Sequence, residues 1–267
     1  MAKERLDVLL VARGLAEDVD WAGRLIRAGE VLVNGQLRDK PGMRVPVEAD
    51  ITLKARPRFV GRGGEKLEAA LVRFGVAVAG AVAADIGAAT GGFTDCLLQR
   101  GAARVYAIDV GYGELAWTLR QDSRVVVLER TNARQLDSLP EPMDLLVSDV
   151  SFISLALIYR TAVGWLRPGG AVVSLIKPQF EAAREQVGRG GVVRDPAVHR
   201  QVLMQVVADF AVLGLGLRGL MASPLLGPAG NVEFLGWWQL GQPGESVAPW
   251  IEQALYEAAE LRGGHAE

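Results

Sequence analysis

Hydrophobic and polar positions follow two different regimes along this chain, and the change comes near residue 55. Before it the apolar runs are short. Leu6, Leu9 and Leu10 share one face of a helix expected over Arg5 to Arg13, and Leu25 and Ile26 share one face of a second, with Asp20 as its cap and Gly29 as its stop. Val31-Leu32-Val33 followed by Asn34-Gly35 predicts a hairpin, because Asn and Gly tolerate the positive φ of the tightest strand-to-strand turn. Ile51 to Lys54 supplies another strand. Further on, near-continuous runs of Val, Ile and Leu alternate with segments of helical period. Strands are expected over 81–86, 104–109, 125–129, 145–149 and 171–176, and helices over 64–74, 93–100, 112–120, 155–166 and 199–213. A late strand over 232–240 and a helix over 248–261 complete the pattern. Strands that are apolar on both faces belong to a parallel sheet covered by helices on both sides. The expected organisation is a small α+β domain over 1–55, a linker over 56–62 where Pro57 and Gly61 break both periods, and an α/β domain over 63–267.

Composition narrows this picture. A length of 267 residues suits one ordinary domain plus a small one, and 50% hydrophobic against 22% charged residues leaves ample material for packed cores. The longest near-continuous apolar stretch, Phe74 to Ala84, is about half of the ~20 residues that a membrane-spanning helix needs. The first residues lack the apolar centre of a signal peptide, and the single Cys96 has no internal disulfide partner, so a cytoplasmic location without membrane association is expected. Net charge is −2, but residues 1–66 hold 13 Lys+Arg against 10 Asp+Glu, leaving 16 against 21 for the rest. The front is the basic part. With only His199 and His265, neither a His-based metal site nor a Ser-His-Asp triad is expected. Against 24 Arg there are only 5 Lys, and beyond Lys54 only Lys66 and Lys177 remain. Lysine differs from arginine in that burial can strip its proton, so these two positions are candidates for proton chemistry.

The ends of the expected strands carry the remaining candidates. The first ends in Asp85-Ile86-Gly87-Ala88-Ala89-Thr90-Gly91-Gly92, a turn in which Gly87, Gly91 and Gly92 let a ligand approach the backbone. It is not the G-x-G-x-x-G of dinucleotide enzymes. The second strand ends in Asp109, a carboxylate suited to a ribose diol. Together these resemble the S-adenosylmethionine-dependent methyltransferase fold, which implies a Rossmann-like class I sheet with a late antiparallel strand. Asp85, Gly87, Gly91, Gly92 and Asp109 are then the cofactor-binding candidates, with Asn132 as a candidate for the adenine. Lys66, Asp149, Lys177 and Glu233 follow in an order similar to the catalytic tetrad of the FtsJ-like ribose 2'-O-methyltransferases. The expected roles place Lys177 nearest the 2'-hydroxyl with Lys66 as its cationic neighbour, the exchange of these two roles staying open, Asp149 orienting Lys177 and the methyl donor, and Glu233 holding both lysines.

The front has its own likeness. Arg5-Leu6-Asp7 and Leu25-Ile26-x-x-Gly29-x-Val31-x-Val33-Asn34-Gly35 resemble the RNA-binding domain named after small-subunit ribosomal protein four. Many members carry Ser-Arg early in the second helix where this chain has Asp18-Val19, which leaves Lys3, Arg5, Arg24, Arg27 and Lys40 as the phosphate-contact candidates. The two domains in this order, with Val-Ser-Phe-Ile-Ser, Lys-Pro-Gln-Phe-Glu, Gly190-Gly191-Val192-Val193-Arg194-Asp195 and Gly-Asn-x-Glu-Phe, resemble the TlyA family from end to end. Such a relationship implies a cytidine 2'-O-methyltransferase acting on rRNA of one or both ribosomal subunits, with S-adenosyl-L-methionine as methyl donor. Two other readings are a non-catalytic RNA-binding assembly factor, which would leave the glycine turn without a cofactor, and a nicotinamide enzyme, which the missing G-x-G-x-x-G opposes. The family is also described as haemolysins, an activity for which no amphipathic or spanning segment is present in the sequence pattern.

Overall fold

A computed structural model describes residues 2–54, 57–244 and 246–263. The chain divides into two compact units, Met1–Pro57 and Arg58–Glu267. In the first, β1 (Lys3–Arg5), α1 (Leu6–Ala12), α2 (Val19–Arg27), β2 (Val31–Val33), β3 (Gln36–Arg38), β4 (Arg44–Pro46) and β5 (Ile51–Leu53) enclose a core in which Leu6, Leu10, Ile26 and Val31 are fully buried. The expected hairpin forms: Asn34 and Gly35 both take positive φ, and β2 pairs antiparallel with β3 on one side and with β5 on the other. β1 and β4 pair separately, and at three residues each they are too short to leave an alternation in the sequence. The cap of α2 is Asp18, whose carboxylate accepts from the Trp21 N–H at 2.6 Å, and not Asp20. Asp20 instead lies in the first turn, where its charge faces the helix dipole favourably.

The second unit is built from α3 (Gly63–Phe74), β6 (Val82–Ile86), α4 (Gly92–Gln99), β7 (Arg104–Ile108), α5 (Trp117–Arg120), β8 (Val125–Leu128), β9 (Met143–Ser148), α6 (Leu155–Ala162), β10 (Leu166–Ile176), α7 (Pro178–Glu181), α8 (Pro196–Val212), β11 (Leu215–Ala222), β12 (Phe234–Leu240) and α9 (Val247–Gly263). Its seven-stranded sheet has the order β11-β12-β10-β9-β6-β7-β8. Neighbours from β8 to β10 run parallel, while β12 is antiparallel to both β10 and β11. Alternate residues of each central strand enter separate cores: Leu146, Val172 and Ile176 on one face, Leu145, Val147, Val173 and Leu175 on the other.

Several elements differ from the sequence pattern for identifiable reasons. The helix expected over 112–120 is reduced to α5, because Gly113 takes a positive φ and Ala116 is extended. The helix expected over 155–166 ends at Ala162, and β10 already begins at Leu166. β11 escaped assignment because Gly216 and Gly219 dilute its strand signature. Ala55 and Arg56, at the expected boundary between the first domain and the linker, lie outside the described residues. Residues 58–62 of that linker are packed into the larger unit: Phe59 is buried beside Leu67 and Leu71, and the Val60 N–H donates to Asp95 Oδ2 at 2.8 Å. One aromatic anchor and backbone hydrogen bonds hold this strap, which explains why it shows no period.

Candidate active site

β6 and β9 are adjacent in the sheet, yet the chain leaves β6 for β7 and β8 on one side before returning to β9 on the other. At such a switch point the two connections diverge and leave a crevice beyond the carboxyl ends of the strands. Two cavities open there, of about 190 and 470 Å³, and both are lined by Gly87, Ala89, Asp149 and Ser151. Gly63, Ala88, Thr90, Gly92, Phe93 and Lys177 complete the smaller one. The larger adds Ile108, Asp109, Asn132, Val150, Ile153 and Ile158 among others, giving an apolar slot with polar groups at its rim.

The turn after β6 is shaped by close approach. A Cβ on Gly87, which has a φ of +82°, would sit 2.7 Å from the carbonyl oxygen of Asp149, so only glycine lets the two strand ends meet. A Cβ on Gly92 would lie 2.9 Å from the Gly64 nitrogen, so the start of α4 can abut the start of α3 for the same reason. Asp109 braces the turn: its carboxylate accepts from the Ala89 N–H at 2.8 Å and from the Gly111 N–H at 2.7 Å. It still faces the larger cavity. Asn132 lines that cavity too, with its Oδ1 accepting from the Arg134 N–H. Asp85 does not line either cavity. It is fully buried, Oδ2 accepts from the Thr94 hydroxyl at 2.7 Å, and Oδ1 has no partner. Burial, reinforced by the nearby charges of Asp149 and Asp109, pushes its carboxyl up to about 7. Asp85 and Thr94 thus bracket the glycine turn from beneath, and the expectation that Asp85 contacts the cofactor gives way to a supporting position. Gly91 likewise sits behind the turn, against Leu115 and Leu119.

The four tetrad candidates form two pairs. Lys177 Nζ lies 2.6 Å from Asp149 Oδ1 and donates to Ser151 Oγ at 2.9 Å, at the wall of the smaller cavity. Lys66 Nζ lies 2.5 Å from Glu233 Oε2 in a dry environment, with side-chain exposures of 8% and 1%. Glu233 therefore holds Lys66, not both lysines, and the partner of Lys177 is Asp149. The reason is strand order: Asp149 and Lys177 end adjacent strands β9 and β10, whereas Glu233 precedes β12 on the far side of β10. Gly63, at the start of α3, lines the smaller cavity, and a Cβ there would lie 3.4 Å from Asp149 Oδ2, so the helix carrying Lys66 begins at the same edge.

Three features escaped the sequence reading. Ser151 is the second acceptor for Lys177, within the Val-Ser-Phe-Ile-Ser motif. Phe152 is 89% exposed with a φ of +63°, its ring 4.8 Å from Phe180 and at the rim of the larger cavity. A bulky residue held in the left-handed region at a cleft is strain of the kind concentrated at functional sites. Beneath the site, Ser148 and Ser174 stand opposite each other on β9 and β10 at 2.9 Å, and the Tyr159 hydroxyl lies 2.6 Å from Ser174 Oγ and 3.1 Å from Ser148 Oγ. Burial raises the Tyr159 hydroxyl to about 12.

In the smaller unit Lys3, Arg5, Arg24, Arg27 and Lys40 are all exposed. Arg24 and Arg27 share one side of α2, with the Arg24 guanidinium over the Trp21 ring. Arg5 is engaged by Asp7 through two hydrogen bonds of 2.6 and 3.0 Å, so part of its charge is already neutralised.

Residues 59–240 match the family model of the FtsJ-like methyltransferases, and residues 4–51 match the S4 domain. Over 252 residues the chain is 50% identical to YqxC of Bacillus subtilis, covering 92% of this chain and 90% of that protein. The 16S/23S rRNA (cytidine-2'-O)-methyltransferase TlyA of Mycobacterium tuberculosis is 45% identical over 260 residues, which covers 96% of this chain and 97% of that one. A solved structure from Streptococcus thermophilus that carries the name hemolysin matches with a TM-score of 0.77 at 42% identity, covering 99% of this chain and 98% of that chain.

Proposed function

We infer from a chain that belongs to the FtsJ-like methyltransferases, and within them to the TlyA family, that it methylates the ribose 2'-hydroxyl of cytidine in ribosomal RNA. The observation that carries this reading is Lys177 Nζ at the wall of one cavity, fixed by Asp149 and Ser151, the two residues that also line the next.

The larger cavity fits S-adenosylmethionine. Its volume of about 470 Å³ lies within the range of small-molecule sites. Ile108, Val150, Ile153 and Ile158 offer apolar walls for a purine, Asn132 a polar edge, and Asp109 a carboxylate for a ribose diol. When bound, the cofactor supplies an electrophilic methyl group. The chain's own residues align the acceptor and manage its proton. Asp149 and Ser151 accept from Nζ and so keep Lys177 aimed at the smaller cavity, where the 2'-hydroxyl enters and Lys177 receives its proton. Glu233 holds Lys66 in a buried ion pair that fixes the start of α3 against the strand ends. Alignment of this kind supplies several kcal/mol of the barrier reduction.

Ribosomal RNA, free or within a subunit, is the partner on this reading. The exposed Lys3, Arg5, Arg24, Arg27 and Lys40 contact its phosphates, and the cytoplasm is the compartment. Among the described residues no helix is long and apolar enough to cross a membrane.

The deciding experiment is single-turnover transfer of labelled methyl to rRNA with mapping of the 2'-O position, using wild type and Lys177→Arg. Arginine keeps the charge but not the ability to lose a proton at neutral pH. A rate below about a tenth of wild type, a barrier increase above ~1.4 kcal/mol, with cofactor and RNA binding retained, is the expected outcome. A variant that keeps more than that moves the proton-accepting role away from Lys177.

A further inference from the structure

The segment between α7 and α8 is a surface hairpin fixed from three sides. Gly188 and Val192 form an isolated bridge, the Gly191 N–H donates to the Gly188 carbonyl, and Gly190 and Gly191 take positive φ, which places Arg189 at the tip of a tight turn. The stem is clamped by Asn231, 2% exposed, whose Oδ1 accepts from the Val193 N–H and whose Nδ2 donates to the Gly191 carbonyl, both at 2.9 Å. The buried His199 ring donates to the Val193 carbonyl at 3.1 Å, and Arg262 of α9 donates to the Val193 and Arg194 carbonyls at 2.8 and 2.6 Å.

Burial of Val192 and Val193 accounts for the stem but not for the outward face. Arg189 at the tip and Arg194 at the end of the stem are both exposed, and the Arg194 guanidinium lies beside Gly188. Neither these two nor Arg262 has a carboxylate ion-pair partner among the described residues. Asp195 is committed to capping α8 through the Ala197 N–H, and Glu185 is the one other carboxylate between Glu181 and Asp195 in the chain. Burial, and then the charge of Arg194, hold the Arg262 guanidinium below its ordinary pKa. Arg194 and Arg262 are like charges drawn together on a rigid frame, an arrangement that an anion between them relieves.

We propose that Arg189, Arg194 and Arg262 form a phosphate-binding subsite of the catalytic unit that grips the sugar–phosphate backbone of the RNA being methylated. The proposal rests on the reading of the chain as an RNA methyltransferase. Guanidinium forks match phosphate oxygens in pairs, and a frame already rigid loses little entropy on binding. Phosphate contacts position a strand without reading its sequence. Asn231, which clamps the stem, stands two residues before Glu233, so a phosphate held here is in fixed register with the buried lysine pair.

The test uses the full chain with deproteinised ribosomal RNA as the probe. Arg262 is left intact because it holds the stem. Arg189→Glu/Arg194→Glu should lower RNA affinity by about ten-fold per lost contact at low salt and reduce the slope of log affinity against log salt by about 0.7–0.9 per contact. Affinity for S-adenosylmethionine and the melting temperature should stay at wild-type values, and Arg189→Lys/Arg194→Lys should keep the wild-type slope. If the glutamate variant loses cofactor affinity, Arg189→Gln at the exposed tip carries the measurement in its place. Wild-type affinity and slope in the charge-altered variants would overturn the subsite while leaving the methyltransferase reading intact. Wild-type protein that neither binds nor methylates rRNA would remove the reading and the subsite together.

Discussion

Replacing each paired lysine by methionine should separate the two lysine–carboxylate pairs by stability, although both changes abolish methyl transfer. Lys66→Met leaves Glu233 without its cation, at a site where the carboxylate side chain is 1% exposed. Breaking a buried pair from one side costs about 3–5 kcal/mol, since the remaining charge has neither water nor partner. For a unit of this size each kcal/mol lowers the melting temperature by about 2–4 °C, so a fall of about 6–20 °C is expected. Lys177→Met leaves Asp149 at the wall of an open cavity, with 24% of its side chain exposed and water able to replace Nζ. There the loss is about 1 kcal/mol, or about 2–4 °C. Lys66→Met/Glu233→Leu should recover most of the stability lost by the single change, because an apolar pair of similar volume removes the orphaned charge. It should recover none of the activity. Thermal melting followed by circular dichroism, paired with single-turnover methyl transfer on each variant, makes the comparison. Equal melting shifts for the two single variants, or a double variant no more stable than Lys66→Met, would refute the division into a fully buried and a partly exposed pair.

Asp109→Ala should weaken S-adenosylmethionine binding by about one to two orders of magnitude, as for the loss of charge-assisted hydrogen bonds worth ~1.5–3 kcal/mol; calorimetry that finds unchanged affinity removes this carboxylate from the ribose. Folding raises the Asp85 carboxyl from 3.8 to about 7, so its contribution to stability is complete below about pH 4 and is lost as pH rises to 7. The melting temperature of Asp85→Asn minus that of wild type should therefore climb between pH 4 and 7 and level off above, and a difference independent of pH would contradict this burial. Phe152→Gly should melt at or above the wild-type temperature, since glycine relieves a left-handed φ and the exposed ring contributes little packing, while rRNA methylation falls. Loss of stability together with retained transfer would mean the strain serves packing.

The site was legible where chemistry coincides with the ends of parallel strands. All such ends meet at one edge, so Asp109, Asp149 and Lys177 could be assigned to a common neighbourhood from strand positions alone. The scarcity of lysine in an arginine-rich chain singled out Lys66 and Lys177 without any geometry. Pairing was a different matter, because it depends on lateral strand order. The insertion of β12 between β10 and β11 decides that Glu233 meets Lys66, and no local pattern encodes that insertion. The supporting place of Asp85 was hidden for a similar reason: at a strand end, cavity-facing and buried carboxylates look alike until the turn above them is built.

Ser148, Ser174 and Tyr159 bear on a deeper ambiguity of the sequence. β9 and β10 are apolar on both faces, and a strand of that kind can slide by one residue without exposing any hydrophobic side chain, so alternation does not set its register. Two serines placed opposite each other, both within reach of one buried hydroxyl, remove that freedom. A slip of one position would turn one serine toward the other core and leave its hydroxyl unpaired there, at a cost of about 1–3 kcal/mol. Ser148 is the residue immediately before Asp149, and Ser174 stands on the strand that ends at Lys177. The polar cluster therefore fixes the register that brings Lys177 Nζ to Asp149, and the geometry of that ion pair is supplied one layer below it, by groups that do not line the cavity.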